Sequence, residues 1–263
     1  LHSTSRRQRQ MCIRDSDYIF NKTEAITLEQ SKLTLSKDIT VLSFSDSSMV
    51  DRNSSIIKVD SGWIVYSKNS ESSILSFTSD GQFSGYIGHR GNGPGEYTSV
   101  YDVVVNQKSK VLEVLSDGGI FCYTFGGDFL DKKEVTYPAF SFAIDDRQNY
   151  WFYVGNNTTY GDAKMICTDE NIANVAYYLH QKSNMLPMVE NNFGRNGEWL
   201  TFHESLNHDL YTIENGKLDL SYAMDFPNYK LPKKLHELSG MEVIEELQRS
   251  NYASIINLSL IHI

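Results

Sequence analysis

Gly88-His89-Arg90-Gly91-Asn92-Gly93-Pro94-Gly95-Glu96-Tyr97 decides how this chain is read. Four glycines and one proline in ten residues set a tight loop, because glycine reaches backbone angles closed to other residues and proline fixes its own φ. Gln82 to Ile87 upstream and Tyr101 to Val105 downstream both read as strands. No helix follows the glycines, so they do not form a phosphate cradle; the P-loop Lys-Ser/Thr and the dinucleotide-fold helix are both missing.

Working outward, a unit of turn plus strand recurs. Ser79-Asp80-Gly81-Gln82-Phe83, Phe125-Gly126-Gly127-Asp128-Phe129, Thr168-Asp169-Glu170-Asn171-Ile172 and Glu214-Asn215-Gly216-Lys217-Leu218 can be laid over one another, with the third position at 81, 127, 170 and 216. Asp-Gly and Asn-Gly between apolar runs are hairpin signals. Each turn is flanked by short strands, and four antiparallel strands per unit of this length make a propeller blade. Val103-Val104-Val105 and Trp151-Phe152-Tyr153-Val154 are apolar on both faces, as strands covered on both sides must be; a sandwich would alternate more cleanly. The expected fold is therefore all-β, a β-propeller of four-stranded antiparallel blades, with a sandwich or β-solenoid as the alternative. The glycine-rich stretch becomes the link between two blades.

The expected boundaries are a strand at about 39–45, blades at about 55–88, 98–136, 139–180 and 190–227, and a helical insertion at 231–250. Pro232 opens that insertion, Ser239 and Glu242 have capping-box spacing, and Leu235, Leu238, Val243, Ile244 and Leu247 recur at helical intervals. The insertion is expected to pack on the propeller rim, or else to bind a partner.

Residues 1–16 and 258–263 read as non-native tails derived from a sequencing adaptor, leaving 17–257 as a partial propeller. The rival reading of Arg6-Arg7-Gln8-Arg9 is a basic targeting or nucleic-acid patch. Without residues 1–16, which hold four Arg and one Asp, the formal charge falls from −9 to −12. An acidic body of this kind disfavours nucleic acid and anionic membranes as partners. There is no apolar run of membrane-spanning length. Cys122 and Cys167 form neither a metal pattern nor a disulfide framework and are expected to be buried thiols.

With the repeat in place, residues 17–257 resemble the six-bladed β-propeller lipoproteins of Bacteroidetes. Gly91-Asn92-Gly93-Pro94-Gly95-Glu96-Tyr97 matches that family's Gly-x-Gly-Pro-Gly-Glu-Tyr motif, and Phe77-Thr78-Ser79-Asp80-Gly81-Gln82-Phe83 resembles its hairpin. The link is also similar to that of NHL-type propellers. The resemblance implies six blades, of which four are present here. It also implies that Ile39 to Phe44 complete the last blade, and that the protein belongs to the cell envelope, in the periplasm or as an outer-membrane lipoprotein. Contact with the membrane would then be only through a lipid anchor. A ring short of two blades would expose faces and edges that invite aggregation.

On such a ring the links between blades and the loops between each blade's second and third strands share one face. That face is expected to carry His89, Arg90, Glu96 and Tyr97 from the link, Asp117 from the second blade, Asn156 and Asn157 from the third, and His203 and Glu204 from the fourth. Gly91, Gly93, Pro94 and Gly95 would be its structural frame. Mixed donors, acceptors and rings suit a glycan or peptide; Glu96 and Tyr97 have a second reading as pins that hold the loop. Sharper chemistry fails on spacing. His203 and His208 are five apart rather than the four of a zinc-protease helix, no Gly-x-Ser-x-Gly elbow is present, and Asp145-Asp146 reads as a solvated turn. No catalytic residue, metal ligand or cofactor is assigned. The expected function is a non-catalytic ligand-binding or protein-interaction propeller of the envelope. The alternative is a metal-dependent propeller lyase or lactone/ester hydrolase, and a third reading is an interaction platform whose partner sits on the rim or the helix.

Overall fold

The computed structural model describes residues 18–19, 39–43, 50, 54–68, 73–155, 157, 161–180, 191–196, 199–226, 230–238 and 241–249. Its architecture is all-β: four four-stranded antiparallel blades in a propeller arrangement, with one α-helix near the C-terminus among the described residues. A two-residue strand, β1 (Tyr18–Ile19), is the first element among the described residues. Blade 1 is β2 (Ser55–Val59), β3 (Gly62–Tyr66), β4 (Ile74–Thr78) and β5 (Phe83–Ile87). The link carries β6 (His89–Arg90) and β7 (Glu96–Tyr97). Blade 2 is β8 (Asp102–Asn106), β9 (Val111–Ser116), β10 (Gly119–Tyr123) and β11 (Phe129–Lys133). Blade 3 is β12 (Ser141–Ile144), β13 (Tyr150–Tyr153), β14 (Ala163–Thr168) and β15 (Ala176–His180). Blade 4 is β16 (Phe193–Asn196), β17 (Trp199–Phe202), β18 (Asp209–Glu214) and β19 (Lys217–Asp225), and β1 adds to β19 in parallel. No helix among the described residues is long and apolar enough to cross a membrane.

The chain divides into two compact units. Leu28–Ile144 with Thr168–Val175 form one; Leu1–Thr27, Asp145–Cys167 and Ala176–Ile263 form the other. In the first unit, blade 1 shows why the strands are apolar on both faces. Side chains alternate along a strand, so Ile64, Tyr66 and Ile74 face one way and pack with Tyr97, Val103, Leu112, Val114, Phe121 and Tyr123 of the link and blade 2. Val65, Leu75 and Phe77 face the other way and pack with Leu42, Trp63, Phe83 and Tyr86. Of the strand expected at 39–45 to complete a last blade, residues 39–43 are described, and they lie on blade 1. Ser43 bridges Gln82 in parallel, its N–H donates to the Gly81 carbonyl at 2.8 Å, and Leu42 packs on the Val65, Leu75 and Phe77 face.

The joints between blades are also polar. Asp102, at the start of β8 and 6% exposed, receives the Lys68 ammonium at 2.8 Å and the N–H of Val103 at 3.0 Å on Oδ1. On Oδ2 it receives the N–H of Phe142 at 3.1 Å. One buried carboxylate thus ties the segment after β3, β8 itself and β12. Its charge also raises the titration point of Tyr66, after the larger effect of burial.

The recurring hairpin has one hydrogen-bond plan. The N–H of Thr78 donates to the carbonyl of Gln82, and the N–H of Gly81 to that of Thr78; the same pair of bonds appears at Thr124/Asp128/Gly127, Asp145/Asn149/Gln148 and Asp169/Ala173/Ile172. The side-chain oxygen of the first residue accepts the N–H four residues on, at 3.0 Å for Thr78, 3.1 Å for Thr124, 2.9 Å for Asp145 and 2.9 Å for Asp169. The fourth residue of each turn has positive φ: Gly81 at 89°, Gly127 at 100°, Gln148 at 68° and Ile172 at 59°. The repeat therefore runs 81, 127, 172, 216 rather than through 170. The fourth turn differs in kind, since Glu214 pairs directly with Lys217 across Asn215 (57°) and Gly216 (72°), a two-residue turn of the I′ class.

The helical insertion is a 3-10 turn at Lys233–His236 with Pro232 at its N-cap, followed by α1 (Met241–Arg249). Ser239 lies outside the described residues. Leu235 and Val243 bury against Leu206, with Leu231, Leu238 and Leu247 around them, and Lys234 pairs with Glu246 at 2.7 Å. The insertion therefore packs on the loop between β17 and β18.

The strained turn and the buried carboxylate each lead to a prediction. Ile172→Gly should raise stability by about 1 kcal/mol, the scale of left-handed strain in an L-residue, read as a higher denaturation midpoint; an unchanged or lower midpoint would mean that the half-buried Ile172 side chain outweighs the strain. Asp102→Ala should lower stability by about 3–5 kcal/mol, because it removes the charged acceptor of a buried ammonium and of two backbone N–H groups. A loss under about 1 kcal/mol in urea unfolding would show that the joint is held by apolar packing alone.

Candidate functional site

The link folds as its glycines require. β6 and β7 pair in parallel, His89 opposite Glu96 and Arg90 opposite Tyr97. The N–H of Gly91 donates to the Tyr97 carbonyl at 3.1 Å, and that of Glu96 to the Gly93 carbonyl at 3.0 Å. Glu96 Oε2 accepts the N–H of Gly93 at 2.8 Å and lies so close to Gly91 that a Cβ there would sit 1.9 Å from it. Tyr97 is 1% exposed; its hydroxyl donates to the Ile87 carbonyl at 3.2 Å and accepts the N–H of Ile74 at 3.4 Å, while burial pushes its titration point up. The Tyr123 hydroxyl closes the loop from blade 2, donating to the Gly95 carbonyl at 2.9 Å. Glu96 and Tyr97 are thus pins of the loop, and Tyr97 has no surface to offer a ligand. His89 and Arg90 are exposed.

Beside the link sits a cluster built on one carboxylate. Asp117 occupies the two-residue turn between β9 and β10, where Ser116 pairs with Gly119. Its Oδ2 accepts the hydroxyls of Thr98 at 2.8 Å and Ser99 at 3.0 Å; its Oδ1 accepts that of Tyr101 at 2.5 Å. The Tyr101 bond above all, then that from Thr98, holds the Asp117 carboxyl below its ordinary range, and the same bond raises Tyr101. Arg90 Nε donates to the Thr98 carbonyl at 2.8 Å. Arg90 and Asp117, far apart in sequence, are thus joined through one threonine. Thr98, Ser99 and Tyr101 escape a sequence reading because hydroxyl residues in a loop carry no period; their density just after the glycine motif was the available signal.

In the other unit, His203 and Glu204 open the loop between β17 and β18. Glu204, 5% exposed, meets the Lys164 ammonium at 3.0 and 3.1 Å and accepts the Tyr153 hydroxyl at 3.0 Å and Asn207 Nδ2 at 3.1 Å. This is a buried, fully bonded ion pair that fastens blade 3 strands to a blade 4 loop, not a ligand-facing acid. His203 is buried as well; its N–H donates to the Asn192 carbonyl at 3.0 Å, and Asn192 Nδ2 donates back to its carbonyl at 3.1 Å. On the following strand β18, burial raises Asp209 and pushes Tyr211 up to about 12. Asn156 lies outside the described residues, and Asn157 donates its N–H to the Val154 carbonyl at 3.3 Å.

The turn carboxylate of blade 3 and the two thiols are all buried. Asp145 sits in a turn but is 3% exposed rather than solvated, because Trp151 Nε1 and Asn149 Nδ2 donate to its Oδ2 at 3.0 and 2.9 Å while two N–H groups fill Oδ1. Cys122 and Cys167 are buried free thiols, both pushed up to about 12, chiefly by burial. Among the described residues no three His, Cys, Asp or Glu side chains come together as a metal ion would need.

Tyr101→Phe should raise the Asp117 carboxyl towards the ordinary value of about 3.9, measured by NMR titration of its side-chain carbon. The sign follows from linkage: a depressed acid adds stability above its unfolded value and loses it as pH falls through the folded one. The variant should therefore lose that contribution at higher pH on acidification. An unmoved titration would assign the shift elsewhere.

Several solved structures are similar to this chain. A candidate exported protein of Bacteroides fragilis superposes with a TM-score of 0.75 at 16% identity, over 91% of this chain and 70% of that one. A DUF4221-family protein of Bacteroides vulgatus gives 0.48 at 9% identity, over 73% of this chain and 63% of its own. A streptogramin B lyase gives 0.45 at 17%, over 70% and 57%. The first supports the fold alone, and the other two are too distant to carry an argument. No curated protein matches the chain. The family described as a domain of unknown function (DUF4934) matches residues 14–260, and the chain belongs to that family.

Proposed function

We propose that this protein is a non-catalytic binding propeller of the bacterial cell envelope, six-bladed when complete and tethered, where it meets the membrane at all, by a lipid anchor. Its ligand is a polar envelope molecule, a glycan or a peptide. The observation that carries this reading is the Arg90–Thr98–Asp117 chain of contacts, which joins a guanidinium, a carboxylate held as an anion and three hydroxyls across the pinned link and the neighbouring β9–β10 turn. A rigid loop that presents charged and hydroxyl groups in fixed positions suits recognition. Export is supported by the Bacteroides fragilis structure, described as a candidate exported protein. Six blades are supported by the family resemblance of the Gly91–Tyr97 motif.

The test is calorimetric titration of the protein with a panel of envelope glycan fragments and short peptides, repeated on Arg90→Ala and His89→Ala. The expected result is a panel member whose affinity falls by about tenfold or more, near 1.4 kcal/mol, in Arg90→Ala while the melting temperature stays close to wild type. A melting temperature that collapses in Arg90→Ala, with no panel member bound by wild type, would make the link a structural clamp.

A further inference from the structure

Resting on the binding reading above, we propose that the surface formed by Thr98, Ser99, Tyr101 and Asp117 selects a primary ammonium group on its ligand. A count of donors and acceptors leads to it. A hydroxyl owns one proton and two lone pairs. The protons of Thr98 and Ser99 are spent on Asp117 Oδ2, and that of Tyr101 on Oδ1. The Thr98 carbonyl is already engaged by Arg90. What these three hydroxyls and the carboxylate present outward is therefore a set of acceptors with a negative charge at its centre, at a turn where Asp117 is exposed.

Such a surface discriminates by proton supply. A ligand hydroxyl brings one proton and lone pairs that face other lone pairs. An acetylated amine brings one N–H and no charge. An ammonium brings three N–H donors and a positive charge, and charge-assisted bonds of this kind are about twice as strong as neutral ones. An unacetylated amino sugar and the N-terminus of a peptide both meet these terms.

The experiment compares glucosamine and alanylalanine with N-acetylglucosamine and N-acetylalanylalanine. It follows the amide shifts of Thr98, Ser99 and Gly118 by NMR in the full chain, in wild type and in Asp117→Asn. The free amines are expected to shift these amides with at least about tenfold tighter binding than their acetylated forms, and to lose that advantage in Asp117→Asn. For alanylalanine, binding should fall as pH rises past the α-amino value of about 8 and persist on acidification until Asp117 is protonated. Which of the two free amines binds more tightly identifies the sugar or the peptide source. Acetylated probes that bind as well as free ones at the same amides would overturn the ammonium selectivity and leave the binding reading standing. Neutral members of the envelope panel binding while both free amines fail would do the same. If neither these probes nor the panel bind, both readings fall together. Should Asp117→Asn not fold, free against acetylated probes on wild type decides the question alone.

Discussion

The buried Asp102 carboxylate accepts from an ammonium and two backbone N–H groups that belong to three stretches of chain: the segment after β3, β8 and β12. Apolar faces alone would let neighbouring blades slide, because burial rewards area and not direction. A carboxylate with fixed lone pairs does not tolerate such sliding; a shift of an ångström or two would leave a charge buried without partners. The packing of Ile64, Tyr66 and Ile74 against Val103, Leu112 and Val114 then has one register. Lys164 and Glu204 play the same part in the other unit, with the Tyr153 and Asn207 donors filling the remaining lone pairs. In both joints a tyrosine ends the second strand of one blade, and a carboxylate from the next stands near it.

The link between blades 1 and 2 obeys the same economy. Gly88 and Gly95 take positive φ, at 62° and 74°, whereas Gly91 is there for closeness: Glu96 can fold back on the loop because Gly91 leaves it room, and then supplies the acceptor that the Gly93 N–H needs. Tyr97 goes inward and fills the space between the blades, reaching the Ile74 N–H and the Ile87 carbonyl. With Glu96 and Tyr97 committed to structure, only His89 and Arg90 of the motif's charged and aromatic residues face outward. A rigid loop whose inner residues are spent on its own stability leaves the outer ones positioned at little entropic cost, which is the condition for recognition by preorganised groups.

Much of this was legible because glycine marks positive φ. Gly81 and Gly127 announce their hairpins, and Asn215-Gly216 announces the shorter one. The third hairpin misleads because its left-handed residue is Ile172, and the side chain of Asp169, not a glycine, organises the turn. Sequence spacing places that turn's equivalent two residues early for this reason. The helix at Met241–Arg249 follows from its apolar spacing, but its seat on Leu206 does not, since nothing in a period names the surface it meets. Lys164 reads as an ordinary polar residue in a strand; only the arrival of Glu204 from another blade shows it to be a buried cation. Residues far apart in the chain, joined by one hydrogen bond, are what local pattern cannot show.

That distinction also separates the two carboxylate clusters by what they can do. Glu204 is surrounded by groups that donate to it, and almost none of it is left to solvent, so its charge serves cohesion. Asp117 is likewise surrounded, but its donors are hydroxyls rather than an ammonium, and they lie at the surface. A buried ion pair neutralises itself; a carboxylate bonded by neutral hydroxyls keeps its full charge and makes each of those oxygens more electron-rich, since hydrogen bonds in a chain polarise one another. The first arrangement ends an electrostatic field, whereas the second projects one outward. The difference lies in donor charge and exposure, not in the number of bonds, and it is why the cluster at blade 2 rather than the one at blade 4 is the place to look for a ligand.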